Sequence, residues 1–363
     1  MAHSKAKNTL IATFLELAAI DEVHPYEKEV LTYVKHRLER IGVVYHQDET
    51  GNIVARIPGK NPDALGFAVH VDIAAPLHGR KVMVTDKVVK TDGTGILGAD
   101  DKIGVAALLE LADLIQRTTR IPSRTLEFLF TVGEERGMTG AKGLDCSLLS
   151  ATQLIIIDMC GPVTTVIAKS PANFRMDVRY MGKAVASALW QDGKNAGAAL
   201  IAACAGLQQG EFEPGVIFNI GRLAAGDARN QVAGEAWLEA EMRSFDTQRL
   251  ETVASKIEAH FLAQASNDGV TAQVTIDRAT VAYTLNQKGT LFDLVQQGLQ
   301  SLQLAPQLIE VFGCFDGNIL TGYGREVVVM GGGYYNPHSH DEYLDIAEAN
   351  QMWAFVQHAA LSS

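Results

Sequence analysis

Cysteine is scarce in this chain. Cys146, Cys160, Cys204 and Cys314 are the only four in 363 residues. They are far apart and show no paired spacing, which excludes a disulfide framework or a structural zinc knuckle and fits a reducing cytoplasm. No apolar run is long enough to span a bilayer. The opening stretch MAHSKAKNTLIATFLELAAIDEVHPYEKEV reads as a polar start and an amphipathic helix, without the apolar segment and small-residue cleavage site of a secretory signal. Basic residues are in the minority, 31 against 42 acidic, for a formal charge of -11. A surface without a basic excess argues against nucleic acid and anionic membranes as partners. There is no internal repeat and no low-complexity tract. With 47% hydrophobic and 20% charged residues, the chain has an ordinary globular composition. Its length implies two domains, since a single core rarely grows beyond roughly 250–300 residues.

The chain is organised around Gly98-Ala99-Asp100-Asp101-Lys102-Ile103-Gly104-Val105, running on as AALLELADLI. This reads as a tight turn opening a helix, with Ile103, Ala106, Ala107, Leu108, Leu111 and Leu114 at helical spacing. The first amides of a helix lack partners and favour negative charge. The acidic pair is therefore either a cap or a metal-bridging carboxylate at the mouth of a sheet. The choice depends on whether other ligands occur at strand ends.

Residues 8–42 read as two helices, with the break at Asp21-Glu22-Val23-His24-Pro25; His24 is read as a loop histidine. VVYHQDETGNIVARIPG reads as a hairpin. Leu65 to Val69 form a short apolar run, the mark of a strand buried on both faces, and it ends in His70-Val71-Asp72. An imidazole with a carboxylate two residues on suits a metal ligand and the acid that orients it, although from this motif alone a satisfied structural histidine is the stronger reading. The stretch 77–97 reads as a hairpin leading into the turn. Thr125 to Val132 is a second buried strand running into Gly133-Glu134-Glu135-Arg136-Gly137. QLIIIDMCGP is a third, ending in Asp158. VVVMGGGYY is a fourth, followed by Asn336-Pro337-His338-Ser339-His340-Asp341-Glu342. Ligand sites in open α/β sheets gather outside the carboxyl ends of strands. Each motif has a structural explanation by itself, but their joint occurrence at strand ends points to a site.

The order HVD, GADDK, GEER, a strand-terminal Asp and NPHSHDEY resembles the di-zinc aminopeptidase/deacylase superfamily, and within it the peptidase T-like members. LLELADLI and GEERGMTGAKGL strengthen the resemblance, which runs from about Asn8 to the final helix. It implies an α/β catalytic domain with a mixed sheet, formed by residues 1–168 and 283–363. Residues 169–282 would be an inserted α+β (ferredoxin-like) domain for dimerisation or as a lid. It also implies two Zn2+ per subunit, with Co2+ or Mn2+ as alternatives. His70 and Asp158 would hold the first ion, Glu135 and His338 the second, and Asp100 would bridge them. Glu134 would be the general base, and Asp72 would orient His70. His338 is preferred to His340 because the family places the ligand two residues after Asn. Such ions hold a shared hydroxide and polarise the scissile carbonyl, while Glu134 moves the proton to the leaving amine.

Within 169–282 the pattern reads β-α-β-β-α-β. The resemblance implies substrate contacts from Asn230 and Arg243, and from Asp316 in Gly313-Cys314-Phe315-Asp316-Gly317-Asn318. An Arg suits a carboxylate because its fork gives two parallel hydrogen bonds; a surface or interface salt bridge is the competing explanation for Arg243. One departure stands out. Where the family carries an oxyanion-stabilising His after Gly-Lys-Ala-Ala, this chain reads Gly182-Lys183-Ala184-Val185-Ala186-Ser187. No His occurs between His78 and His260. Ser187, Asn195 and Asn230 are substitute donors of equal standing. The expected activity is hydrolysis of small peptides by a cytoplasmic, homodimeric metallo-exopeptidase. An N-acyl amino acid or dipeptide amidohydrolase is the second reading, and a metal-binding homologue weakened by Ala186 the third.

Overall fold

The computed structural model describes residues 9–21, 25, 27–77 and 79–362; His24 and Asn8 lie outside them. The chain divides into two compact units. One comprises Met1–Ala168, Leu285–Glu310 and Phe315–Ser363; the other comprises Lys169–Thr284 and Val311–Cys314.

The first unit is built on a mixed sheet. Its four central strands are Arg124–Thr131, Asn61–His70, Gln153–Met159 and Glu326–Gly331, in that spatial order and all parallel. Ile53–Ile57 and Val44–Gln47 extend it antiparallel at one side. From Ala64 to His70 and from Thr125 to Thr131 every residue is buried, as parallel strands covered on both faces require. All four central strands finish at one edge. His70 pairs with Thr131 there. Ala68 pairs with Ile156, so two residues further on His70 and Asp158 lie side by side.

The helix Ala99–Thr118 packs against this sheet along Ile103, Ala107, Leu108 and Leu111, all 0% exposed. The close approach is at Gly104, where a Cβ would meet Val69 Cγ1 at 2.7 Å and the Asp101 carboxylate. The turn before the helix needs a left-handed residue, which Gly98 supplies with φ 71. Thr9–Ala18 and Lys28–Arg40 are the two helices read from the sequence. A small second sheet is formed by the hairpin Val82–Val84/Val88–Thr91 together with Tyr334–Tyr335 and Tyr343–Asp345. The loop between those last two strands carries His338.

In the second unit, the strands Gly210–Glu213, Val216–Ala225, Glu235–Ser244, Ala172–Met181 and Thr271–Thr280 form one antiparallel sheet in that order. Alternate residues Phe174, Met176, Val178 and Tyr180 face a core shared with the helices Ala196–Ala205 and Thr247–Asn267. The alternation is the signature of a sheet covered on one side. Gly210–Glu213 is a short partly exposed strand that the β-α-β-β-α-β reading did not contain.

Candidate metal centre

The site forms where the parallel strands end. His70 closes its strand at 2% exposure. Its Nδ1 lies 3.1 Å from the backbone carbonyl of Asp72 and 3.4 Å from Asp72 Oδ1. Both acceptors fix the ring with Nε2 pointing into the site. Nε2 is 3.2 Å from Asp100 Oδ1 and 3.6 Å from Asp158 Oδ1. The Asp72 carboxylate has a second task. It accepts from the amides of Glu134 and Glu135 at 3.0 and 3.2 Å, so one acid sets both the imidazole and the Glu134–Glu135 turn.

Asp100 stands at the mouth of its helix with non-helical φ/ψ, and the Asp100–Asp101 peptide is cis. Its two oxygens face different imidazoles. Oδ1 faces His70, and Oδ2 lies 3.4 Å from His338 Nε2. His338 Nε2 is also 2.7 Å from the buried Glu135 Oε1. Among the described residues, His70, Asp100 and Glu135 have donor atoms all within 4.8 Å of one another. The cluster thus offers imidazole nitrogen and carboxylate oxygen, the donors that zinc-type cations take. Several buried carboxylates packed around two imidazoles leave room in charge for divalent ions. The residues fit such a group.

The electrostatics carry the same signature. Against the cost of burial, His338 and His70 hold the Asp100 carboxyl well below its ordinary range. Burial, reinforced by the Asp100 and Asp316 charges, pushes Asp158 up to about 7. Burial next to Asp158 also drives Glu134 well above its ordinary value. Asp100 and Glu135 raise His338 to about 10. Asp101 lies beside this set, within reach of the Asp158 and Asp100 charges. Its carboxylate is fully buried with no hydrogen-bond partner, and burial raises it strongly.

The remaining sequence-derived positions are placed as follows. His340 does not join the cluster; it lines a cavity of about 500 Å³ with Lys90, Asp92 and Asn336. Asp316 is 3% exposed and accepts from Thr131 Oγ1 at 2.5 Å. It is an interior acid, packed behind the strand ends, and its other oxygen has no partner. In the second unit, Arg243 pairs with Glu241 at 3.0 Å and donates to the Phe312 carbonyl. Asn230 is exposed, and its carbonyl accepts from Ser187 N at 2.9 Å, beside the bridge Ala186↔Gln231. Asn195 caps the helix Ala196–Ala205 by accepting from Ala198 N.

Two further residues belong to the site although the sequence reading gave them no role. Tyr334, 1% exposed, donates to Asp100 Oδ1 at 3.0 Å. Glu342, 1% exposed, accepts from four amides of residues 97–100. Only the buried Tyr after a Gly-rich strand end and an acid beside the His motif hinted at them.

Comparison with known proteins agrees with this geometry. Residues 87–362 match the pattern of "Peptidase family M20/M25/M40". The uncharacterized protein YqjE of Bacillus subtilis is 31% identical, over 97% of this chain and 98% of its own. A tripeptidase from Staphylococcus aureus is 30% identical with a TM-score of 0.89, covering 97% of each chain. The aminopeptidase PepT of Bacillus cereus is 26% identical with a TM-score of 0.87, again over 97% of each. The chain belongs to peptidase family M20/M25/M40 and is peptidase T-like within it.

Proposed function

We propose that the protein is a metal-dependent exopeptidase acting on small peptides, tripeptides foremost, with two Zn2+ ions per subunit. The observation that carries this is the Asp100 carboxylate, whose two oxygens face His70 and His338 at 3.2 and 3.4 Å. A carboxylate serving two imidazoles from opposite oxygens suits a bridge between two cations. His70 and Asp158 would complete one site, Glu135 and His338 the other. When bound, such a pair lowers the pKa of water and polarises a carbonyl oxygen.

The chain's own residues supply the rest. Glu134 is held by its amide on Asp72 at 3.0 Å, and its carboxyl, raised by burial and by Asp158, is suited to take a proton from water and return it to the leaving amine. Asp72 keeps His70 in the tautomer that leaves Nε2 free. Asn230 and Arg243 are proposed as substrate contacts. Arg243 would have to exchange its pairing with Glu241 for a substrate carboxylate. Asp316 is proposed to act from the interior, through Thr131, on the strand end that holds His70. The unit Lys169–Thr284 is proposed as a dimerisation or lid domain, and the active form as a homodimer. The four free cysteines suit the cytoplasm. Among the described residues no helix is long and apolar enough to cross a membrane.

The test is a series of di- and tripeptides and N-acyl amino acids assayed with Zn, Co or Mn. Tripeptide turnover abolished by chelator is expected. Glu134→Ala should lower kcat by about 10²–10⁴-fold with both metals retained. Turnover of N-acyl amino acids alone would shift the assignment to an amidohydrolase. Two bound metals with no turnover of either class would make Ala186 the sign of a binding homologue.

A further inference from the structure

One hairpin touches Asp100 at three points. The strands Tyr334–Tyr335 and Tyr343–Asp345 form it, with the stacked rings of Tyr335 and Tyr343 at its base. Tyr334 donates its hydroxyl to Asp100 Oδ1 at 3.0 Å. His338 places Nε2 3.4 Å from Asp100 Oδ2. Glu342 reaches the backbone behind it. Its Oε2 accepts from Leu97 N and Gly98 N at 2.7 and 2.8 Å, and its Oε1 from Ala99 N and Asp100 N at 2.7 and 3.2 Å.

Those amides need an external acceptor. They lie in the turn before the regular part of the helix Ala99–Thr118, since Asp100 and Asp101 have non-helical φ/ψ, and Gly98 has no side chain to offer. The acidic pair at the turn does not cap it either. Asp100 faces the two imidazoles, and Asp101 has no hydrogen-bond partner. The amides of this turn are therefore met by an acid about 240 residues away in sequence, through four charge-assisted bonds at a buried position. The same acid ends the loop that carries His338.

We propose that Glu342 is a positioning residue. It latches the His338 hairpin to the helix start, so that Asp100 and His338 are delivered together as one preformed half of the metal centre. The proposal rests on the reading of Asp100 and His338 as ligands. It adds that the second ion depends on a residue that touches neither ion nor substrate.

The test compares wild type, Glu342→Gln and Glu127→Gln. Gln keeps the size of Glu but turns one acceptor into a donor aimed at amide donors. Glu127 is an equally buried acid, 0% exposed, that accepts from Ser150 Oγ and Ala151 N at the opposite end of the sheet. It controls for general loss of stability. Competition titration with Zn2+ should show the second equivalent bound about 10–100-fold more weakly in Glu342→Gln, and Co2+ loading should show an altered visible spectrum. In metal-free protein, amide exchange at 97–100 should rise at least about tenfold, as expected when a buried cap is lost. Glu127→Gln should match wild type in all three measurements. If Glu342→Gln does not fold, Glu342→Asp takes its place, and a smaller weakening in the same direction is expected. Wild-type protein that takes up fewer than two ions refutes the ligand set itself. A wild type that takes up two, with a Glu342 variant that does so at unchanged affinity, refutes only the latch.

Discussion

His338 sits between Asp100 and Glu135, which raise it to about 10, while Asp158, buried beside other acids, is pushed up to about 7. In the metal-free protein at pH 7 both positions therefore carry protons, His338 almost fully and Asp158 in part. A ligand must shed its proton before it binds a cation, so ion uptake releases protons and affinity falls as pH drops through neutrality. We expect at least about one proton released per chain at pH 7, measured by calorimetry of Zn2+ binding in buffers of different ionisation heat. Uptake with no proton release would contradict this assignment of the ligands. The proposed ligands were legible as candidates because each follows an apolar run or opens a helix. Glu342 and Tyr334 were not. Glu342 stands within NPHSHDEY and Tyr334 at a Gly-rich strand end, but neither position shows its partner, Asp100, more than 230 positions away.

The helix Ala99–Thr118 owes its placement to more than its apolar face. Glu110 on it pairs with Arg37 of the helix Lys28–Arg40 at 2.7 Å, with both side chains 9% exposed, and accepts from Thr13 of the helix Thr9–Ala18 at 2.6 Å. Against the cost of burial, Thr13 and Arg37 hold the Glu110 carboxyl below its ordinary value. Its contribution is thus complete above the unfolded carboxylate range and is lost as pH falls through the lower folded value. Removing Glu110 takes its nearest carboxylate from the buried Arg37 guanidinium and leaves it, among the described residues, only the exposed Glu16, 3.8 Å away. Glu110→Ala should cost about 3–5 kcal/mol in urea unfolding, while the folded variant keeps wild-type metal stoichiometry. Loss of metal with no loss of stability would overturn this division of labour. At this scale the sequence was informative where burial is complete. Strands covered on both faces appear as unbroken apolar runs, as at Leu65–Val69. The start of that strand at Asn61 was hidden because its first three residues, Asn61, Pro62 and Asp63, are exposed and carry no apolar pattern. Gly210–Glu213 was hidden for the same reason at a sheet edge.

At the scale of the molecule, the chemistry converges on a single edge of a single sheet. His70, Asp158 and the Glu134–Glu135 turn follow parallel strands to that edge. Asp100 arrives on a helix start, and His338 on a hairpin fastened to it. The proposed ligand positions span 269 places in sequence, from His70 to His338, and the parallel strands, the helix start and the hairpin together bring them to one place. The second unit is continuous from Lys169 to Thr284 apart from the short return Val311–Cys314, so the catalytic unit is completed by chain that comes after it. The central claim is that this edge holds two cations with Asp100 between them. The most direct test is anomalous scattering at the zinc edge from crystals of the zinc-loaded protein. The account predicts two peaks per chain, one beside His70 and Asp158 and the other beside Glu135 and His338. A single peak, or peaks away from Asp100, would contradict it.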